Sequence, residues 1–239
     1  MTRLPAILFR LAVPLVLFFS PTSIHPQSTI NSVPSTDVVS TKDVYLEFDF
    51  ISNYSHHYNG GFQSYVPRAV VGLGKNVEAG ANVVVTDGYG QDQPVEIQPN
   101  IKWRFFQNES RSFSASVGCI GYIPVNHRTN SDTFGMCYSV ASQRLGGNYG
   151  PRFTGGGYAL LDRRNGSGSK GGAIVGYEQP IAGRVNFVVD WFSGNNRFGY
   201  VTPGFSFATT SRSSLFTGYT IGNQGRRNHA FLTFYGIRL

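Results

Sequence analysis

The sequence predicts an all-β protein, a single antiparallel barrel of about twelve strands in an up-and-down meander. Three observations carry this. From Val44 onward, apolar and polar residues alternate with a period of two over segments of roughly 8 to 12 residues, each ended by turn residues. The connections alternate between tight and long. No segment of that region repeats its apolar residues at the helical period, so no helix is available to cover an apolar sheet face.

In chain order, the start is not part of the barrel. Arg3 and Arg10 precede or flank the apolar stretch Leu11 to Phe19, which is followed by Ser20, Pro21, Thr22 and Ser23. A charged start, a short apolar core and small polar residues form the layout of a secretory signal peptide, expected over residues 1–27. The stretch is too short, and too interrupted by Pro14, to span a bilayer as a helix. Residues 28–43 are polar and read as a flexible lead-in to a barrel over 44–239. The full chain carries a formal charge of +7, which falls to +5 once Arg3 and Arg10 leave with the leader.

Composition fits strands that cross a membrane. Charged residues make up 14%, against about a quarter in soluble proteins, while aromatics reach 14% and there are 29 Gly. Low charge without a long apolar run suits transmembrane strands, whose signal is alternation.

The expected strands are Val44 to Ile51, Gln63 to Leu73, Val77 to Thr86, Val95 to Phe106, Phe113 to Val125 and Phe134 to Arg144, then Pro151 to Leu161, Gly172 to Glu178, Val185 to Phe192, Phe198 to Ala208, Ser213 to Ile221 and His229 to Leu239. Connections after strands two, four, eight and ten are tight, as at Gly74-Lys75-Asn76. Those after odd strands are mostly longer and rich in Gly, Asn and Ser, as over 52–62 and 162–171. Short turns at one end and long loops at the other, with an even strand number, suit an outer-membrane barrel rather than a sandwich.

The fourth strand shows the alternation most clearly. Val95, Ile97, Pro99, Ile101, Trp103 and Phe105 share one face; Glu96, Gln98, Asn100, Lys102 and Arg104 share the other. A slip by one residue would put charges into the apolar medium, so the polar set is expected to face the lumen. The same parity assigns Glu47, Asp49, Arg68, Glu78, Arg152, Glu178, Arg184, Asp190 and Arg238 to the lumen. Acids and bases balance there, which argues against a strongly ion-selective pore. Those residues either brace the interior as a salt-bridge network or line a solute path. Bulky Tyr122, Tyr158, Phe192, Phe216, Leu232 and Phe234 also fall on the inner parity. The excess positive charge sits in two long loops, in Arg163, Arg164 and Lys170 and in Arg226 and Arg227, placed to meet lipopolysaccharide phosphates if those loops face outward.

The two cysteines, Cys119 and Cys137, are pointed to opposite faces by a parity count. That argues against a disulfide, despite the oxidising compartment a leader implies. No catalytic residues, metal ligands or cofactor site are expected. His56 and His57 are adjacent but lack a ligand spacing with Cys or acids, and His229 has no Ser partner within its strand. The Gly-rich run Asn165 to Gly172 fails the phosphate-loop pattern. In a secreted membrane barrel the basic charge does not imply nucleic acid.

Two resemblances sharpen the expectation. The last strand, with Phe231, Tyr235, Ile237 and Leu239 at alternate positions, resembles the terminal strand of bacterial outer-membrane barrels, implying handling by the barrel-assembly machinery and a home in the outer-membrane lipid bilayer. Val70 to Val85 (VVGLGKNVEAGANVVV), Pro99 to Phe106 (PNIKWRFF) and Gly121 to Val125 (GYIPV) resemble outer-membrane transporters of the phenol meta-pathway type. The likeness covers mainly Gln63 to Val125 and the last strand. It implies passive transport of small, even hydrophobic, solutes. The rivals are a plugged barrel acting through its loops as a structural or adhesive protein, and an outer-leaflet lipid hydrolase using His229.

Overall fold

The computed structural model describes residues 29–55, 59–88, 95–126, 132–162, 168–225 and 229–239. Twelve antiparallel strands form a closed barrel. They are β1 (Val44–Asn53), β2 (Phe62–Gly74), β3 (Val77–Gly88), β4 (Glu96–Asn108), β5 (Phe113–Pro124) and β6 (Phe134–Arg144), then β7 (Arg152–Leu161), β8 (Gly171–Ala182), β9 (Val185–Phe192), β10 (Tyr200–Ala208), β11 (Ser213–Gly222) and β12 (Ala230–Arg238). Each strand pairs with its sequence neighbours, and β12 closes on β1 with Phe48 opposite Tyr235. Closure leaves no strand edge unpaired among the described residues. The expected leader lies outside the described residues, as do His56, His57 and His127.

Alternation sorts the two faces. In β2 to β12 the inward residues carry even numbers, from Ser64 and Arg68 through Tyr138 and Ile174 to Phe234; in β1 they are Tyr45, Glu47, Asp49 and Ile51. A β-bulge between Trp103 and Phe106 breaks the alternation in β4 and leaves Phe105 and Phe106 both exposed outside. The outer face carries a belt of exposed apolar side chains, among them Phe48, Leu73, Ile101, Trp103, Phe153, Val175, Phe205, Tyr219 and Tyr235. Soluble monomers rarely expose apolar side chains gathered in large patches.

Cys119 and Cys137 form a disulfide, correcting the parity argument. Directly opposed residues in an antiparallel pair share a face, and the β5–β6 register sets Cys119 opposite Cys137. Both carry odd numbers and project outward. The pairing of the two strands sets that register, and a count made strand by strand does not see it.

The structure seats residues 29–39 inside the barrel, with 40–43 as the exit, where the sequence suggested only a flexible lead-in over 28–43. Ile30, Val33, Thr36, Val38 and Val39 are buried there. The segment leaves at the end of the barrel bearing the short turns, where Thr41 bridges to Gly72 and the Lys42 N–H bonds the Gly72 carbonyl at 3.0 Å. Its polar partners lie far away in sequence, Asp190 being 159 residues from Asn31. No local pattern announces such pairing.

Candidate functional site

The interior divides into an apolar sector and a polar one. From β5 round to β12, Tyr122, Phe134, Met136, Tyr138, Val140, Tyr158, Leu160, Ile174, Val188, Phe192, Phe216, Leu232 and Phe234 form one buried cluster, and Ile30 and Val33 of the inserted segment belong to it. Tyr122 stacks on Phe134, and Phe216 on Phe234, each with ring centroids 4.6 Å apart. This packing fills the sector as an ordinary protein core would. The even-numbered aromatics anticipated from the sequence meet here.

The polar sector lies on β1 to β4. Glu47 pairs with Arg68 at 3.0 Å, directly across the β1–β2 ladder, and also accepts the Tyr45 hydroxyl. Lys102 pairs with Glu78 at 3.0 Å, again directly across a ladder. Higher up, the amides form a chain: Asn100 donates to Asn82, Asn82 to Gln98, and Gln98 to Glu96. These are the charges and amides that alternation assigned to the lumen. They pair because burying a charge is costly unless a partner offsets it.

The inserted segment is fastened at several heights. The backbone N–H groups of Asn31, Ser32 and Val33 all donate to one oxygen of Asp190, at 2.7 to 2.9 Å. The Asn31 side chain donates to the Thr202 carbonyl at 2.9 Å. Lower down, Arg152 binds Asp37 and the Thr36 hydroxyl and lies 3.6 Å from Glu178, while the Val39 N–H donates to Glu78 at 2.7 Å. Arg238 reaches Asp43 at 3.6 Å near the segment's exit. Arg104 and Arg184 sit beside the short turns; Arg104 donates to the Asn76 side chain at 3.0 Å.

Beside the segment remains a cavity of about 360 Å³. It runs from Phe62, Thr86 and Ala230, at the strand ends bearing the long connections, down to Arg68, Glu78 and Lys102. One wall is charged and amide-rich; the other is Ile120, Tyr122, Met136, Tyr138, Phe198 and Phe234. Thr29, Asn31, Ser32 and Pro34 of the segment contribute to its lining. We refer to it as the vestibule.

Arg197 also lines the vestibule and was not anticipated. It lies in the 193–199 connection, which folds inward so that the guanidinium binds Glu96 through two bonds of 3.1 Å. The same group stands over the Tyr122, Phe134 and Phe198 rings at 5.1 to 5.6 Å. Strand parity cannot find a loop residue that turns back into the barrel; the only hint is the arginine beside Phe198 in a Gly- and Asn-rich connection. Asn196 locks that connection to the Tyr158 hydroxyl and the Ser169 carbonyl.

Of the anticipated basic loop cluster, Arg163, Arg164, Arg226 and Arg227 lie outside the described residues, and Lys170 is exposed. His229 stands edge-on to Tyr219, with centroids 6.1 Å apart. Among the described residues no group of three or more His, Cys, Asp or Glu side chains is placed to hold a metal ion.

No protein-family model and no curated protein matches the sequence. Among solved structures, the chain is similar to an outer-membrane channel from Pseudomonas putida F1, at 12% identity over 84% of this chain and 97% of that one, with a TM-score of 0.49.

Proposed function

We propose that this chain is a bacterial outer-membrane barrel that passes small solutes through its vestibule, and that residues 29–43 close the route in the state seen here. One observation carries the reading. The vestibule descends from the long-connection end to the Glu78–Lys102 layer and ends there against the inserted segment and the residues it binds. A barrel used only as a scaffold has no need of a solvent-sized space walled by paired charges.

The exposed apolar belt supports placement in a bilayer, since an outward apolar face is what lipid requires of a barrel. Export through the leader and handling of β12 by the barrel-assembly machinery belong to the same proposal. So does an outward orientation of the long connections, which puts Lys170 and the neighbouring arginines near lipopolysaccharide phosphates. A lining half aromatic and half amide suits amphipathic solutes, in keeping with the resemblance of Val70 to Val85 to outer-membrane transporters of the phenol meta-pathway type.

The second reading is a closed structural barrel, favoured by the tight packing of the apolar sector and the many bonds to the segment. Planar-bilayer recording separates the two. The full refolded chain is compared with a chain beginning at Val44, folding being confirmed for both by heat-dependent gel mobility. Rare, small steps from the full chain and larger, frequent ones from the shortened chain support the channel. A shortened barrel that folds and stays silent favours the structural reading.

A further inference from the structure

Where the inserted segment leaves the barrel, at the short-turn end, it borders a second and smaller cavity of about 130 Å³. Val38, Val39 and Ser40 of the segment form one side; the 209–212 turn, β11 and β12 form the other, through Arg212, Ser213 and Arg238. The two arginines are neighbours, since the Arg238 N–H donates to the Arg212 carbonyl at 2.8 Å. Like charges set opposite each other in a sheet repel. No carboxylate among the described residues lines the cavity. Asp43 approaches Arg238 from the exit, but 3.6 Å from Nε is beyond hydrogen-bonding distance. No ion pair among the described residues includes Arg212. Glu47, which the Tyr45 hydroxyl reaches, is held by Arg68.

This lining specifies an occupant. Two guanidinium groups against one carboxylate leave a net positive charge, and the Ser40 and Ser211 hydroxyls add donors. Arginine forks are matched to phosphate oxygens. The donors arrive from three elements, the segment, the turn and β12, which suits a tetrahedral anion better than a planar carboxylate with two oxygens. At about 130 Å³ the cavity is well below the roughly 300 Å³ at which small-molecule pockets begin, so the occupant is small. Exposed Lys42, Lys75 and Arg111 stand at the same end of the barrel, against Glu109 as the exposed acid. Charge of one sign raises the local concentration of its counter-ion.

We propose that this cavity binds a soluble phosphate anion, free or as a small monoester, and that the bound anion ties the segment's exit to the barrel wall. The soluble source follows from facing. Tyr45, Ser214 and Arg238 lie on the inward side, so the cavity belongs to the mouth of the lumen and not to the apolar belt. The site stands whether or not the vestibule conducts.

The test is calorimetric titration of the full refolded chain at neutral pH with sodium phosphate, against sodium chloride of equal ionic strength. Phosphate binds saturably and chloride does not. Arg212→Gln weakens binding roughly tenfold or more, the loss of charge-assisted hydrogen bonds. Arg212→Lys weakens it less, and Lys75→Gln, at the same end but outside the cavity, has little effect. Gel mobility checks the folding of each variant. In Asp190→Ala, which loses the three upper bonds to the segment, phosphate at ten times its Kd slows proteolysis within residues 29–39 roughly tenfold, because only the seated form completes the site. Absence of saturable binding overturns the proposal. So does binding unchanged in Arg212→Gln, or weakened equally in Lys75→Gln, which marks a diffuse field. Binding without protection overturns the tie to the wall. Phosphatidylglycerol added to the micelles leaves phosphate bound; displacement transfers the site to a lipid headgroup and overturns the soluble source.

Discussion

Lys102 and Glu78 face each other at 3.0 Å across the β3–β4 ladder, their side chains only 3% and 2% exposed, and Glu78 also takes the N–H of Val39. One carboxylate therefore joins the wall of the barrel to the segment inside it. Removing a single partner leaves a buried charge without compensation. Lys102→Met is expected to cost about 3–5 kcal/mol, whereas Lys102→Met with Glu78→Leu costs much less, because the second change removes the stranded carboxylate. Urea titration of the gel-mobility transition reads both.

Asp190 is the upper fastening. Its Oδ2 accepts three successive backbone N–H groups of the segment, and Asp190→Ala leaves all three without that partner. The expected result is release of the segment with the barrel intact. A loss of about 3 kcal/mol of seating raises the open population roughly a hundredfold. Limited proteolysis reads this directly, with cleavage within the buried residues 29–39 appearing in Asp190→Ala and absent from the parent under the same conditions.

Gly72 is the lower one. The segment crosses it so closely that a Cβ there would run into the Ser40 carbonyl. Gly72→Ala is expected to push the exit strap off β2 and increase conductance. Gly155, whose added Cβ meets nothing within 4 Å, is the matched control. Gly155→Ala leaves conductance and stability within the ordinary scatter of surface substitutions, about 0.5 kcal/mol.

The Cys119–Cys137 disulfide joins strands already hydrogen-bonded to each other, its ends 18 positions apart in sequence. Its contribution comes chiefly from restricting the unfolded chain, about 3 kcal/mol for a loop of this length. Cys119→Ala with Cys137→Ala is expected to yield the same barrel, unfolding at lower urea. In the reduced protein inserted in a bilayer, an uncharged maleimide labels these outward thiols faster than a sulfonated one.

Strand number, order and facing were legible because alternation is a local signal repeated twelve times over. Glu96, Gln98, Asn100 and Lys102 follow from one strand read by itself. What could not be read depends on chain segments meeting from a distance. The seat of residues 29–43 is set by Asp190, Glu78 and Arg152, on β9, β3 and β7. Arg197 enters from a connection rather than a strand. The disulfide depended on register across a loop, and a one-residue slip there reverses every facing. The pairing of Glu47 with Arg68 lay between these extremes: both were assigned inward, and only the β1–β2 register made them neighbours.

Residues 29–43 run straight into Val44, with no spacer between the last fastening at Asp43 and the first barrel strand. The obstruction is thus an intramolecular ligand. Its local concentration is set by the tether, on the order of millimolar for a short link, and does not change with the amount of protein in the membrane. On the proposed channel reading, resealing after each opening is a first-order event that needs no second molecule. A synthetic peptide of the same sequence, added to a chain lacking the segment, would have to reach a similar concentration to restore what the covalent connection supplies.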